Sequence, residues 1–218
     1  MTNGTKRYIE TIEWLGKLYD YVNDKLFKNQ LERPVITVQT DERNKAYGWF
    51  TLKRVWHVAG VQADWYNTPK EFQDESEFEI NMSAQFLNRP ANEIASTLIH
   101  EACHQFAKEN NVQDCSRGGS YHNKLFKKIA EEHGLIVENV EKIGWSKTSL
   151  AEGTERLLQS FLRENPPLLI YREPILKGAR VKTSSTRKYV CPCCGNSVRA
   201  TKCVNIACID CDEPMQEE

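Results

Sequence analysis

No stretch of this sequence stays apolar for anything near the roughly 20 residues that a membrane-spanning helix needs. The opening residues, MTNGTKRYIETIEW, lack the basic segment and apolar run of a secretory signal. A membrane partner is therefore not expected, and a cytoplasmic setting is. Charge of one sign is missing too. The formal net charge is -1, so no global field draws in nucleic acid, and any such binding must rest on local patches. Internal repeats are absent. Cysteine is sparse until the end of the chain: Cys103 and Cys115 stand alone, and six more crowd between Cys191 and Cys211. A disulfide framework would be spread along a small secreted chain. Paired thiols clustered at one end of a reduced protein read as a metal site.

What is present fits one domain of ordinary size with a smaller appendage. Tyr8, Ile12, Leu15, Tyr19, Val22 and Leu26 recur at three-to-four spacing, which predicts an amphipathic helix over 6–28. "PVITVQT" (34–40) alternates and is β-branched, as a strand requires. "AYGWFTLKRVWHVAG" (46–60) suggests one or two more strands, and "FEINMSAQFL" (78–87) a short strand over 78–81 that then turns. Pro90 and Glu93 suit the first turn of a helix carrying Ile94, Leu98, Ala102 and Phe106 as its apolar stripe. A loop over 112–120 and a third helix over 121–133 complete an α+β domain ending near Trp145. Residues 146–170 read as a helix followed by a Pro-Pro turn. "YREPILKGARVKTSSTRKYV" (171–190) then carries six Lys or Arg against one Glu. The expected division is a first domain over 1–145, a linker with a basic segment over 146–185, and a cysteine-rich unit with an acidic tail over 186–218.

The central helix contains "TLIHEACHQFAKE" (97–109). Positions i and i+4 stand one above the other on a helix. His100 and His104 therefore aim at one spot and are able to share a zinc ion at about 2.0–2.1 Å from each nitrogen. Glu101 is offset by about 100° on the helical wheel. That is too far round for a third ligand, but within reach of a metal-bound water from which it could take a proton as the water attacks a carbonyl. A catalytic zinc usually has three protein ligands and one open position. Among His57, His122, His133, the carboxylates and the two isolated cysteines, His122 is the expected third. It is placed at the start of the helix after a Gly-Gly loop, on the face of Phe126 and Ile129. His133 is expected to pack or cap that helix, Cys103 to be a small core residue, and Cys115 stays open as an adventitious ligand. Tyr47 and Tyr121 are both candidates for an oxyanion partner.

Cys191-x2-Cys194 and Cys208-x2-Cys211 form two knuckles that together close a four-sulfur zinc site, with Gly195 fitting the tight turn. So short a unit cannot bury a useful apolar core, so metal must supply its folding energy. A pairing through Cys193 and a structural or redox role for Cys203 stay open. The unit reads either as a structural knob or as a binding module, with the preceding basic stretch, Arg199 and Lys202 against phosphates.

The HExxH helix, the following histidine and the terminal CPxCG…CxxC unit together resemble the SprT-like family, which includes the eukaryotic Spartan proteases. "AYGWF", "FEINMS", "TLIHEACHQ" and "YHNKLF" extend the resemblance over most of the chain. It implies a zincin-type metalloprotease domain with His100, His104 and His122 as zinc ligands, Glu101 as base, and a C-terminal zinc ribbon. In Spartan-type proteins the activity depends on DNA and is directed at proteins crosslinked to it, so single-stranded or crosslinked DNA is an implied partner. The family's third histidine usually sits beside a glycine, whereas here the order is Ser120-Tyr121-His122-Asn123.

Overall fold

A computed structural model describes residues 3–40, 46–57, 76–173 and 186–218. The chain divides into two compact units, Met1–Pro174 and Ile175–Glu218. Of the stretches read from sequence, 58–60 and most of the basic segment, 174–185, lie outside the described residues.

Helix α1 (Asn3–Phe27) buries Leu15, Leu18, Tyr19 and Val22, the stripe that its spacing announces. It ends where Lys28 and Asn29 take positive φ and the Asn29 amide donates back to the Asn23 carbonyl at 2.9 Å. Strands β1 (Val35–Gln39), β2 (Gly48–Phe50), β3 (Trp56–His57), β4 (Ser76–Glu77) and β5 (Glu79–Ser83) follow. The first sheet has the order β1-β5-β2, with β1 parallel and β2 antiparallel to β5. Every residue of β5 is buried, and Ile80 and Met82 belong to the core. Helix α2 (Ala91–Glu109) packs its Ile94, Leu98, Ile99 and Ala102 into the same core.

The next segment departs from the sequence reading. Residues 112–120 are not a plain loop, and the third helix does not begin at Tyr121. Strands β6 (Cys115–Ser116) and β7 (Tyr121–His122) form a hairpin, and α3 (Lys124–Glu132) starts only after Asn123. The reason is local. The Asn123 side chain accepts from the Leu125 amide at 2.7 Å and the Phe126 amide at 3.3 Å, an N-cap that sets the helix start. The His122 amide meanwhile donates to the Ile143 carbonyl at 3.0 Å, which holds that backbone in a sheet.

The expected helix from 146 is a strand first. β8 (Leu135–Val140) and β9 (Gly144–Leu150) complete a second sheet of order β6-β7-β9-β8, and α4 (Glu152–Glu164) comes after. The boundary expected at 145 thus falls inside β9. Leu135 and Val137 point inward while Ile136 and Glu138 face solvent, the period-two pattern of a half-buried strand. α4 closes against α1, with Phe161 5.0 Å from Tyr21 ring to ring and the Trp14 indole donating to the Asn165 carbonyl at 2.8 Å. This packing carries the first unit past the expected end.

In the second unit, β10 (Arg187–Val190), β11 (Ser197–Ala200) and β14 (Gln216–Glu217) make a sheet of order β11-β10-β14. β12 (Ala207–Cys208) pairs with β13 (Glu213–Pro214). Its only buried apolar or thiol side chains among the described residues are Tyr189, Cys191 and Cys208, too few for a core that folds by itself. No helix among the described residues is long and apolar enough to cross a membrane.

Gly144 is where β9 lies against β7 inside the second sheet. It takes φ +75°, and a Cβ there would lie 2.2 Å from the His122 carbonyl oxygen and 3.0 Å from the Tyr121 ring. Gly144→Ala is therefore expected to destabilise the first unit by at least about 2 kcal/mol, from left-handed backbone plus overpacking. A fall in the urea midpoint checks this, and an unchanged midpoint refutes the crowding.

Candidate metal centre

α2 carries His100 and His104 on one face, and β7 brings His122 against them. The Nε2 atoms lie 3.2 Å (His100–His122), 3.2 Å (His100–His104) and 3.1 Å (His104–His122) apart. The Phe126 ring, fully buried, underlies all three imidazoles at 4.6, 4.6 and 4.7 Å between centroids. His122 thus reaches the histidine pair as expected, but from a strand.

Each outer nitrogen is engaged. His104 Nδ1 lies 2.5 Å from Asp114 Oδ2, His100 Nδ1 3.1 Å from Thr148 Oγ1, and His122 Nδ1 3.3 Å from the Ile143 carbonyl oxygen. Carboxylate and carbonyl oxygens only accept, so His104 and His122 carry their Nδ1 protons and turn their Nε2 atoms inward. Burial drives the His100 imidazole well below its ordinary pKa, with the charges of His104 and His122 adding to it. Burial likewise holds His122 down at about 4, seconded by the charge of His104. Burial also opposes charge on His104, but the hydrogen bond to Asp114, then Cys115 and the Glu101 charge, outweigh it and lift His104 to about 10. Of the three rings, His104, backed by Asp114, is the one whose environment favours a positive charge.

A divalent ion fits that place. Zinc bonded tetrahedrally at 2.0–2.1 Å holds its nitrogens about 3.3–3.4 Å apart, close to the spacing found. The outer partners are the kind that fix imidazole orientation around a metal.

Glu101 lies on the neighbouring face of α2, buried, and outside the ligand set. Its carboxylate accepts a hydrogen bond from the Phe50 amide on β2. Burial raises its pKa to about 7, against the opposing pull of His104 and the Phe50 amide. The contact depends on Gly48, where a Cβ would stand 2.9 Å from the Asn81 carbonyl oxygen, 3.2 Å from Thr97 Cγ2 and 3.3 Å from Glu101 Cγ. Only a glycine lets β2 lie this close to the Thr97–Glu101 face.

The remaining sequence candidates separate. His57 is exposed on β3, while His133 caps α3 and stacks on Phe27 at 4.2 Å; neither joins the centre. Cys103 is fully buried. Cys115 belongs to a group with His104 and Asp114 and touches the outer side of the centre. The Tyr47 ring packs on Phe86 and Arg89, and the Tyr121 ring lies against Gly144 and under Arg117. Phe126 lies on the apolar face that the sequence assigns to α3, whereas Asp114, Thr148 and the Phe50 amide owe their roles to strand pairing and hairpin geometry, which no residue spacing marks.

In the second unit the ligand atoms of Cys191, Cys194, Cys208 and Cys211 all lie within 4.8 Å of one another. Cys194 and Cys208 sulfurs stand 3.7 Å apart, near the about 3.8 Å of a tetrahedron with 2.3 Å zinc–sulfur bonds. The Cys194 backbone amide, helped by that of Cys193, draws the Cys191 thiol down to about 7. Cys193 and Cys203 are exposed; Cys193 hydrogen-bonds to Cys211, and Cys203 to Tyr189. Both groups of ligands are compatible with zinc.

The SprT-like family model matches residues 15–148, more than half of the chain, and the protein belongs to that family, which is of metalloprotease type. The matched span runs from within α1 to Thr148 and contains the three histidines and Glu101. No curated protein and no solved structure matches the chain.

Two outcomes follow from the supports. Asp114→Asn should weaken zinc binding at the histidines by about 10–100-fold while the cysteine site keeps its ion, read by chelator competition. Zinc uptake by the histidines must expel the proton that His104 holds up to about pH 10. Affinity should thus rise about tenfold per pH unit between pH 6 and 8, with one proton released per ion, and level off above about 10. Calorimetry in buffers of different ionisation enthalpy measures that proton, and its absence would refute the charge assignment.

Proposed function

We propose that this SprT-like protein is a zinc-dependent endopeptidase with a zincin-like arrangement, in which Glu101 is the general base. The observation that carries the reading is the convergence of three imidazole Nε2 atoms, each turned inward by an engaged Nδ1, beside a buried carboxylate that is not a ligand. His100, His104 and His122 would hold a catalytic zinc, and Cys191, Cys194, Cys208 and Cys211 a structural one in a zinc ribbon. Bound zinc supplies Lewis acidity that polarises the scissile carbonyl and makes water nucleophilic near neutral pH.

The chain's own residues do the rest. The Phe50 amide orients the Glu101 carboxylate, and burial sets its pKa at about 7, where a carboxylate is able to take a proton from the attacking water and pass it to the leaving nitrogen. Asp114 holds the His104 Nδ1 proton, Thr148 and Ile143 orient the other two rings, and Phe126 excludes water from beneath them. A purely structural metal site has no use for Glu101, which argues against a vestigial centre.

DNA-associated proteins are the proposed substrates, with DNA taken by the ribbon. Lys188 on β10 lies opposite Arg199 on β11, and like charges placed so oppose folding unless an anion meets them. Glu217 and Glu218 pair with Arg187 and Lys188. Arg199 has no acidic partner among the described residues. The same observation supports the alternative, a non-proteolytic zinc-stabilised module that docks on DNA or protein. All eight cysteines are unpaired, which suits a cytoplasmic, reducing setting.

Glu101→Gln separates the readings. It should retain two zinc ions per chain and lose at least about 100-fold of the proteolytic rate on an unfolded protein substrate, with single-stranded DNA present or absent. A two-zinc wild type that cuts nothing under either condition leaves the binding module standing and removes the enzyme.

A further inference from the structure

The three-stranded sheet of the second unit carries an open cleft of about 570 Å³. Its walls hold three cations, Arg187, Lys188 and Arg199, and two carboxylates, Glu217 and Glu218, together with Thr186 and Thr201. Strand pairing decides which of these groups meet. Lys188 on β10 stands opposite Arg199 on β11. On its other side the Glu218 amide donates to the Lys188 carbonyl at 2.8 Å, which brings the Glu218 carboxylate onto the Lys188 ammonium. The Arg187 guanidinium donates to Glu217 at 2.7 Å. β14 and the residue after it thus deliver two carboxylates to the cations of β10. Arg199 receives none among the described residues.

These pairs are open to exchange. Between 38% and 63% of each of the four side chains is accessible, and exposed ion pairs add little to stability. An anion that offers several oxygens in a row competes for the cations. A single-stranded phosphodiester chain is such an anion, and each phosphate neutralised also releases counterions. The lining favours it over a protein segment. Protein docking needs an apolar centre to the interface, whereas every side chain here is charged or carries a hydroxyl. Contacts to phosphate carry no base sequence, so the binding is sequence-independent.

We infer that Glu217 and Glu218 are internal stand-ins for phosphate in an anion cleft of the second unit, and that single-stranded nucleic acid binds there by displacing them. The inference rests on the reading of this unit as the DNA-binding part and adds its regulation. Arg199 is the cation that an arriving phosphate meets first. Arg187 and Lys188 follow as their carboxylates give way. The two glutamates thereby hold affinity down until several phosphates arrive together.

The test uses full-length, zinc-loaded protein and a labelled oligothymidylate, titrated by fluorescence anisotropy over a series of salt concentrations. At about 0.15 M salt, Glu217→Gln with Glu218→Gln should tighten binding about tenfold. The slope of log affinity against log salt should steepen by about 1.4, from about 0.7 for each cation passed to a phosphate. Asp210→Asn with Asp212→Asn removes the same charge from the same unit outside the cleft, and should change affinity by less than about twofold. Adding Arg187→Gln and Lys188→Gln to the glutamate double variant should return affinity to the wild-type level or below. Zinc content and melting temperature show that each variant is folded. If the glutamate double variant loses zinc, Glu218→Gln alone decides, with about threefold tighter binding expected. Tightening in the aspartate control equal to that in the glutamate variant overturns the inference, because net charge would then suffice. So does a gain that survives the loss of Arg187 and Lys188. Competition by oligoglutamate as effective as that by unlabelled oligothymidylate assigns the cleft to acidic protein and overturns the nucleic-acid occupant. Failure of every variant to bind the oligonucleotide defeats the DNA reading itself; binding by the wild type with no gain on loss of the glutamates defeats this inference alone.

Discussion

Three imidazole nitrogens stand within 3.2 Å of one another, and that crowding is the constraint around which the first unit is arranged. Left to themselves, three inward lone pairs repel. They stay together because each ring is tethered from behind, by Asp114, Thr148 and the Ile143 carbonyl, and because Phe126 fills the space beneath them. Those tethers come from three places in the chain: the hairpin of β6 and β7, the middle of β9, and the turn before it. The second sheet is thereby a scaffold for ring orientation. Its one parallel contact, His122 with Gly144, is where the scaffold meets the centre.

α2 works on two sides at once. One face presents His100 and His104 to the second sheet, and the next presents Thr97 and Glu101 to the edge of the first. Gly48 sets how near that edge lies, and so whether the Phe50 amide reaches the Glu101 carboxylate. Arg89 and Tyr47 continue the same edge beyond Thr97. The Arg89 guanidinium is held there by Thr97 Oγ1 and the face of the Tyr47 ring.

Much of this was readable from residue order. The stripe of α1, the alternation of β1, and the histidine pair with its offset glutamate all follow from the helical and strand periods, which are properties of neighbouring residues. The pairing of the two cysteine knuckles is equally local. The β8–β9 hairpin was not read from the sequence: β8 alternates only over Leu135, Ile136, Val137 and Glu138, and the segment from 146 reads as a helix because α4 follows β9 directly. The start of α3 was misplaced because Tyr121 and His122 have no propensity that forbids a helix. The Asn123 cap and the pairing with β6 and β9 decide it.

The sequence by itself determined which atoms could bind metal and which carboxylate could assist: His100, Glu101 and His104 through the helical repeat, and four thiols through knuckle spacing. Only the tertiary structure sets His122 in the group from a strand, puts Asp114 behind the His104 ring and lets Gly48 admit the Phe50 amide to Glu101. The division has a physical cause. Ligand type and local spacing are covalent properties of the chain, whereas ring orientation, burial and the fate of a proton depend on groups that only folding brings within hydrogen-bond range.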